Sequence, residues 1–426
     1  MSTRSTCALV LLCVVQGCER FAFFAMLPLF VLYLHHRHGF SEASAMLLFG
    51  VFHALSYVGG LPVGILTDRK LGPPVALLIG GVLLTLGYGA LALDHPWLLL
   101  PALALMVIGH SFFKPSMGAL FGSLFSPSDV RREHGFLWQH LAANLAAMVG
   151  PLCGEWSRIG NRWDRLFFWA MLATLVGTLA LRAGARLLPQ PPLRQMDSQA
   201  DAGSSQMYRA RWGVVWWLCG LSIVFWLTAQ QSGSSLAVFA YSYTDRTLVL
   251  PGRIVQIGPG HFGALHGLLV LLLLPLLMAG KTWLRSRKAE PSTPAQMAWG
   301  YLATASAFAL LVLASLRGGD MGRVSPVWLG GGYLLLSVAE LLLLPLGMSL
   351  VTRIAPPHKA SQAIGLWFAA AAVGNALAGV IGLLWGRWPN HRYFALLALV
   401  SIGAAAALLA RLGRIERTLN SQTNSG

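Results

Sequence analysis

Apolar residues run along this chain in long blocks, cut by short stretches where charged residues, Pro and Gly gather. A bilayer core about 30 Å thick needs about 20 mostly apolar residues to be crossed by a helix. Twelve blocks reach that length, near 8–34, 43–66, 73–93, 97–124, 135–157, 164–186, 211–242, 260–284, 295–316, 325–352, 360–385 and 389–413. Each is predicted to be a spanning helix. The longest stretch between spans, 187–210, is rich in Gln, Pro and Ser and carries Asp197 and Asp201, the composition of a flexible polar linker. It divides the chain into six spans and six. The pattern predicts an all-α polytopic membrane protein: a six-helix bundle over 1–186, a cytoplasmic linker over 187–210, a second six-helix bundle over 211–415 and a cytoplasmic tail over 416–426.

Composition agrees. Charged residues make up 11% of the chain, against roughly 25% in soluble proteins. So few charges cannot coat a soluble protein of this size, and lipid is the natural solvent for most of its surface. The net charge of +16 does not point to nucleic acid, because the basic residues are scattered between apolar runs and form no stripe. They report orientation, since cytoplasmic loops of membrane proteins collect Lys and Arg. With the N terminus inside, inner segments hold 19 of the 31 basic residues and outer loops hold 10, leaving Arg20 and Lys114 at membrane depth. That bias predicts both termini in the cytoplasm. Cys7, Cys13, Cys18, Cys153 and Cys219 form no C-x-x-C pair or zinc spacing and read as small apolar packing residues. The first block carries Glu19 and Arg20 and is too long for a signal h-region, so it reads as a retained helix.

An ionisable side chain at bilayer depth costs a few kcal/mol and marks function by default. Four stand out: Glu19 and Arg20 in the first span, Lys114 in the fourth and Glu340 in the tenth. Two acids and two bases sum to zero, which suits pairing across a water-filled cavity; the alternative is structural glue between helices. Four histidines also fall in spans: His53, His110, His140 and His266. His110 precedes Lys114 by four and His140 precedes Asn144 by four, and residues four apart share a helix face. Each histidine taken singly suits a hydrogen-bonded packing role, but imidazole titrates near neutral pH and can carry a proton. No nucleophile–base spacing and no metal cluster such as H-E-x-x-H occurs, so neither an enzyme nor a metal or cofactor site is expected.

Six plus six spans around a central linker is the arrangement of major-facilitator transporters, whose halves rock about a midplane site. The loop Gly64-x-x-Thr67-Asp68-Arg69-Lys70-x-Gly72 resembles the loop signature of that superfamily, in which Asp68 and Arg69 would latch helix ends. Further motifs narrow the resemblance. Span 1 reads Gln16-Gly-Cys-Glu19-Arg20-Phe21-Ala-Phe23-Phe24-Ala-Met26, against Glu-x-x-Glu-Arg-Phe-x-Tyr-Tyr-Gly-Met in the proton-coupled oligopeptide transporter family. Tyr57 closes Ala-Leu-Ser-Tyr57, and span 4 has Phe-Lys114-Pro115-Ser, similar to the family's Lys-Pro-Asn. Asn144 lies in a stretch resembling Ile-Asn-x-Gly. Span 7 reads Phe225-Trp226-Leu-Thr-Ala-Gln230-Gln231, and span 10 reads Glu340-Leu-Leu-Leu-Leu-Pro345-Leu-Gly347-Met-Ser349, close to Glu-x-x-x-Ser-Pro-x-Gly-x-Ser. Span 11 has Gly365-Leu-Trp367-Phe and Gly374-Asn375. The order and spacing of these motifs together are specific, and they cover nearly the whole chain.

The resemblance implies carriage of di- and tripeptides by alternating access. Carried over residue by residue, Arg20 and Lys114 would meet the peptide carboxylate, Glu340 with Asn144 would meet the amino group, and Tyr57, Trp226 and Trp367 would line side-chain pockets. Pro115 and Pro345 would be structural. A zwitterionic ligand independently requires a cation at one end of its site and an anion at the other. The departures fall on coupling. The family's first glutamate is Gln16, its helix 7 glutamate is Gln230, and a helix 1 arginine is Leu27. The Arg–Glu gate pair has gone as a pair, which strands no buried charge. Phe23 and Phe24 lack the tyrosine hydroxyls, and His266 replaces an asparagine. Glutamine cannot carry a proton, so proton coupling is expected to be absent or rerouted through the histidines, chiefly His266 with His53 or His110. Two other readings stay open. One keeps the fold and carries or exports a bulkier hydrophobic peptide-like metabolite. The other is a sensor that binds without transporting, which net flux through liposomes would separate. A monomer in a bacterial inner membrane is expected, with a small-molecule substrate, the bilayer and, if coupling survives, protons as partners.

Overall fold

Proline and glycine decide where the apolar blocks are cut into helices. The computed structural model describes residues 3–124, 131–188, 206–250, 253–319, 322–355, 360–413 and 415–417. The first block becomes two helices, α1 (Thr3–Met26) and α2 (Phe30–His38), not the single helix expected over 8–34. Pro28 lacks an N–H and disfavours helical geometry at Leu27, so the ladder stops there. The second block is α3 (Glu42–Val58) and α4 (Gly60–Leu66), parted at Gly59, followed by a wide turn over Thr67–Leu71. Gly72 then adopts φ +74, a conformation that favours glycine, and Pro73 and Pro74 start α5 (Pro73–Ala92) in its first turn, where no N–H is missed. After α6 (Leu99–Ser123), α7 (Arg131–Ser157) and α8 (Trp163–Ala183), the seventh block also splits. It forms α9 (Gln206–Ala229), a tight turn over Gln230–Gly233 and α10 (Ser235–Ser242).

A β-hairpin that the hydrophobic pattern did not predict comes next. β1 (Thr247–Leu250) pairs antiparallel with β2 (Arg253–Gln256), with Leu250 opposite Arg253. The chain continues through α11 (Pro259–Ser286), α12 (Thr293–Arg317), α13 (Pro326–Ile354), α14 (Ala360–Gly382) and α15 (Asn390–Ala410). Among the described residues, 11 helical segments are long and apolar enough to cross a membrane. α7 occupies the place of the remaining expected span. Of the linker expected over 187–210, residues 189–205 lie outside the described residues and 206–210 already belong to α9, so the helix starts earlier than expected; the side chains of Asp68, Arg69 and His140 and the tail beyond 417 also lie outside them.

The helices gather into two compact units. The first comprises Met1–Gly39, Leu55–Ser198 and Gly258–Leu268. In it α1 packs on α7 and α8, and α5 on α6 and α8. The second comprises Phe40–Ala54, Gln199–Ile257 and Leu269–Gly426. There α12 packs on α13 and α15, and α9 on α13 and α14, around a core that includes Tyr301, Leu343 and Trp367. The first part of α3 thus belongs with helices of the second unit, and the first turns of α11 with helices of the first.

Candidate functional site

The charges at membrane depth in the first unit converge. Glu19 and Arg20 are neighbours in α1, which sets their Cβ atoms about 100° apart around the axis. Arg20 folds back to close that angle, its Nε and Nη2 each donating to a Glu19 oxygen at 2.5 Å. Its guanidinium lies 4.7 Å from the Phe23 ring centroid and 6.0 Å from that of Phe24. From α6, His110 and Lys114 reach the same place from one helix face. His110 Nδ1 stands 3.3 Å from Glu19 Oε1, with both side chains buried. The His110 ring packs edge-on against Phe23 at 5.6 Å. Lys114 Nζ lies 4.0 Å over the Tyr57 ring and 5.9 Å from Phe23, a cation held by aromatic faces. Pro115, inside α6, has no N–H to give the Ser111 carbonyl one turn back.

The charge count of this cluster matters more than any one contact. Glu19 is satisfied by Arg20 and faces His110. Among the described residues, no carboxylate pairs with Lys114. With His110 neutral, Glu19, Arg20 and Lys114 sum to +1 in surroundings that are otherwise apolar and aromatic. An uncompensated cation there is costly, and an anionic ligand would relieve it. Asn144, buried in α7, belongs to the same unit. His266, half-buried in α11, does too. Gln16 is half-buried in α1, three residues before Glu19.

The second unit holds the other expected residues. Glu340 is half-buried on α13, five residues before Pro345, which lies inside that helix. Trp367 on α14 is buried, and its Nε1 has no hydrogen-bond partner among the described residues. Gly347 makes room for it: a Cβ there would overlap the indole ring. Trp226 packs edge-on to Phe225 at 5.3 Å beside Gly374 of α14. His53 hydrogen-bonds the Phe49 carbonyl of its own helix at 3.0 Å. Gln230 opens the turn that ends α9, and its amide nitrogen is buried without a partner among the described residues.

Three features were not read from the sequence. Gln231, beside Gln230, is fully buried and accepts from Ser235 Oγ at 2.6 Å and Tyr393 OH at 2.9 Å. Tyr333 OH donates to the Ser232 carbonyl at 3.3 Å, so the turn in span 7 is held from both α13 and α15. Tyr88 of α5 is fully buried within electrostatic reach of Glu19 and Arg20, and its hydroxyl has no partner among the described residues. Nothing in an apolar stretch distinguishes such a tyrosine.

The third is Glu155, an acid inside an expected span whose position alone could have flagged it. It pairs with Arg158 one turn on and accepts the Gly260 N–H at 2.9 Å, capping the first turn of α11. Glycine at 258 and 260 leaves room for the carboxylate, which a Cβ at either position would crowd. A carboxylate at a helix N terminus gains from both the hydrogen bond and the dipole. Glu155→Gln keeps the shape and loses the charge, so it is expected to lower stability by about 1–2 kcal/mol. Thermal unfolding in detergent checks this; an unchanged midpoint would show that the cap contributes nothing.

Known proteins are similar to this chain in sequence and in fold. A family model described as PTR2, POT family, matches residues 204–391. The peptide transporter YePEPT of Yersinia enterocolitica is 27% identical over 442 residues, covering 85% of this chain and 85% of that protein. A di-/tripeptide transporter of Lactococcus lactis subsp. cremoris is 25% identical over 458 residues, covering 92% of each. Among solved structures, a peptide transporter POT in complex with sulfate superposes with a TM-score of 0.87 at 23% identity, covering 96% of this chain and 95% of that one. A POT family transporter in complex with 5-aminolevulinic acid gives 0.87 at 22% identity and 96% coverage of both chains. The fold is that of these POT transporter structures.

Proposed function

We propose, from the premise that this chain belongs to the POT family, that it carries di- and tripeptides or similar zwitterions across the membrane by alternating access, with proton coupling altered from the family pattern. The observation that supports the substrate class is the surplus cation at Lys114. Arg20 is neutralised by Glu19, while Lys114 lies over aromatic faces and pairs with no carboxylate among the described residues. A carboxylate entering beside it cancels an uncompensated charge in a low-dielectric bundle, where charge-assisted contacts are strong. Glu340 supplies the complementary anion for an amino terminus, with Trp226 and Trp367 as apolar walls. The names of the curated relatives as peptide transporters support the same cargo. Gln16, Leu27 and Gln230 support altered coupling, because none of them can hold the charge the family pattern places there.

Radiolabelled dialanine uptake into liposomes holding the purified protein tests the reading. Counterflow is expected, and Glu340→Gln is expected to abolish it by removing the partner of the amino group. Absence of flux in both counterflow and gradient formats would sink the peptide assignment.

A further inference from the structure

His110, in the fourth span, stands within ion-pair distance of an acid at membrane depth. Its side chain is wholly buried, Glu19 is 3% exposed, and Nδ1 to Oε1 is 3.3 Å. We infer that the Glu19–His110 couple takes up the proton in this carrier, and that the proton enters together with the carboxylate of the substrate. The inference rests on the peptide-carrier reading above.

The groups facing the couple can be named by element. From α1 come Glu19 itself and Arg20; from α6, Lys114; from the end of α3, Tyr57 over Lys114; from α5, Tyr88. α8 contributes the hydroxyls of Thr174 and Thr178, which do not titrate. α7 carries His140, whose side chain lies outside the described residues. A cavity of about 10 Å³, room for a single water, adjoins Glu19 and is bounded by Val15, Leu84, Phe113, Thr174 and Thr178. Tyr88 lies one helical turn from Leu84 on the same face of α5, and its hydroxyl has no partner among the described residues.

Charge balance links the two ligands. The empty cluster carries +1. A proton alone would make it +2, and a carboxylate alone would bring it to 0. Together they bring it back to +1, now with an imidazolium and a carboxylate facing each other. Opposite charges attract strongly in a low-dielectric site, so each ligand favours the other, and that linkage is reciprocal. The step is a single protonation: the neutral imidazole gains a proton, the imidazolium donates Nδ1–H to Glu19 Oε1, and the proton returns to water when the carboxylate leaves. Gln16 and Gln230, at the family's acid positions, cannot serve.

The test counts protons. Dialanine is titrated into the full-length protein in detergent by calorimetry in two buffers of different ionisation enthalpy, which gives protons taken up per peptide bound. Uptake of about one proton per peptide is expected near neutral pH, falling to near zero in His110→Asn and His110→Gln. In liposomes the same variants are expected to keep counterflow and lose gradient-driven accumulation. Dialanine binding to the unaltered protein without proton uptake overturns the proposal and leaves the carrier reading intact, and needs no variant that folds. Proton uptake that persists in both His110 variants overturns it as well. Absence of dialanine binding overturns both readings.

Discussion

Replacing Lys114 by glutamine is expected to weaken dialanine binding by about 100-fold, equivalent to about 2.7 kcal/mol, within the range for removing one partner of a desolvated charge pair. The same substitution is expected to leave the unfolding midpoint of the ligand-free protein unchanged or raised. The two effects have opposite sign for one reason. Lys114 has no acid partner among the described residues and rests on the Tyr57 ring. Its charge is a cost in the empty protein and a gain only when an anion arrives. Arg20→Gln is the control. Arg20 holds both oxygens of Glu19, so losing it strands a buried carboxylate, and stability falls together with binding. Titration with dialanine and thermal unfolding of the same preparations decide the matter. A Lys114→Gln protein that binds normally, or whose unfolding midpoint drops in step with its affinity, would show that the lysine is structural.

The spans were legible because each one must bury its backbone in hydrocarbon, and only long apolar blocks allow that. The breaks within them were less so. Pro28 and Gly59 were visible, but hydropathy averages over them, and a cut helix looks as apolar as a whole one. The turn at Gln230–Gly233 has no proline, and its cause is tertiary: Gln231 is drawn to Tyr393 and Ser235, and the Ser232 carbonyl to Tyr333. The hairpin escaped because Leu-Val-Leu-Pro-Gly-Arg-Ile-Val reads as apolar chain, although its Pro-Gly pair is a turn signal. At the site, Glu19, Arg20 and Lys114 were found because a charge at membrane depth is rare on its own terms. The histidines could not be ranked that way. His53 and His110 have similar apolar neighbours in sequence. Only the contact of α1 with α6 gives His110 an acid, while His53 spends its Nδ1 on the Phe49 carbonyl.

Gly50→Ala is expected to reduce dialanine uptake about tenfold or more, and Gly379→Ala by clearly less, because overpacking a tight contact costs about 1–3 kcal/mol, a shift of about 5–150-fold between two conformations. The reason lies in the second unit, where α3 crosses α14 at these glycines. A Cβ on Gly50 would fall 2.6 Å from both Cα and N of Gly379 and 2.7 Å from the Asn375 carbonyl oxygen. All three are backbone atoms of α14, so no side chain can turn away to make room, and the helices must part. A Cβ on Gly379 would meet the Leu47 carbonyl oxygen at 3.0 Å and Gly50 Cα at 3.1 Å, a smaller intrusion that a slight shift accommodates. The same helix pair is tied near its end by Trp385 Nε1 donating to Glu42 Oε2 at 2.8 Å, a bond that parting the helices would stretch. The proposed carriage cycle needs these helices to meet in one of its states, so a substitution that forbids the meeting depopulates that state. Hydrogen exchange followed by mass spectrometry reads this directly: amides over 42–52 and 375–385 are expected to exchange faster in Gly50→Ala than in Gly379→Ala. Equal exchange and equal uptake in the two variants would show that the crossing is not a close-packed contact in the working protein.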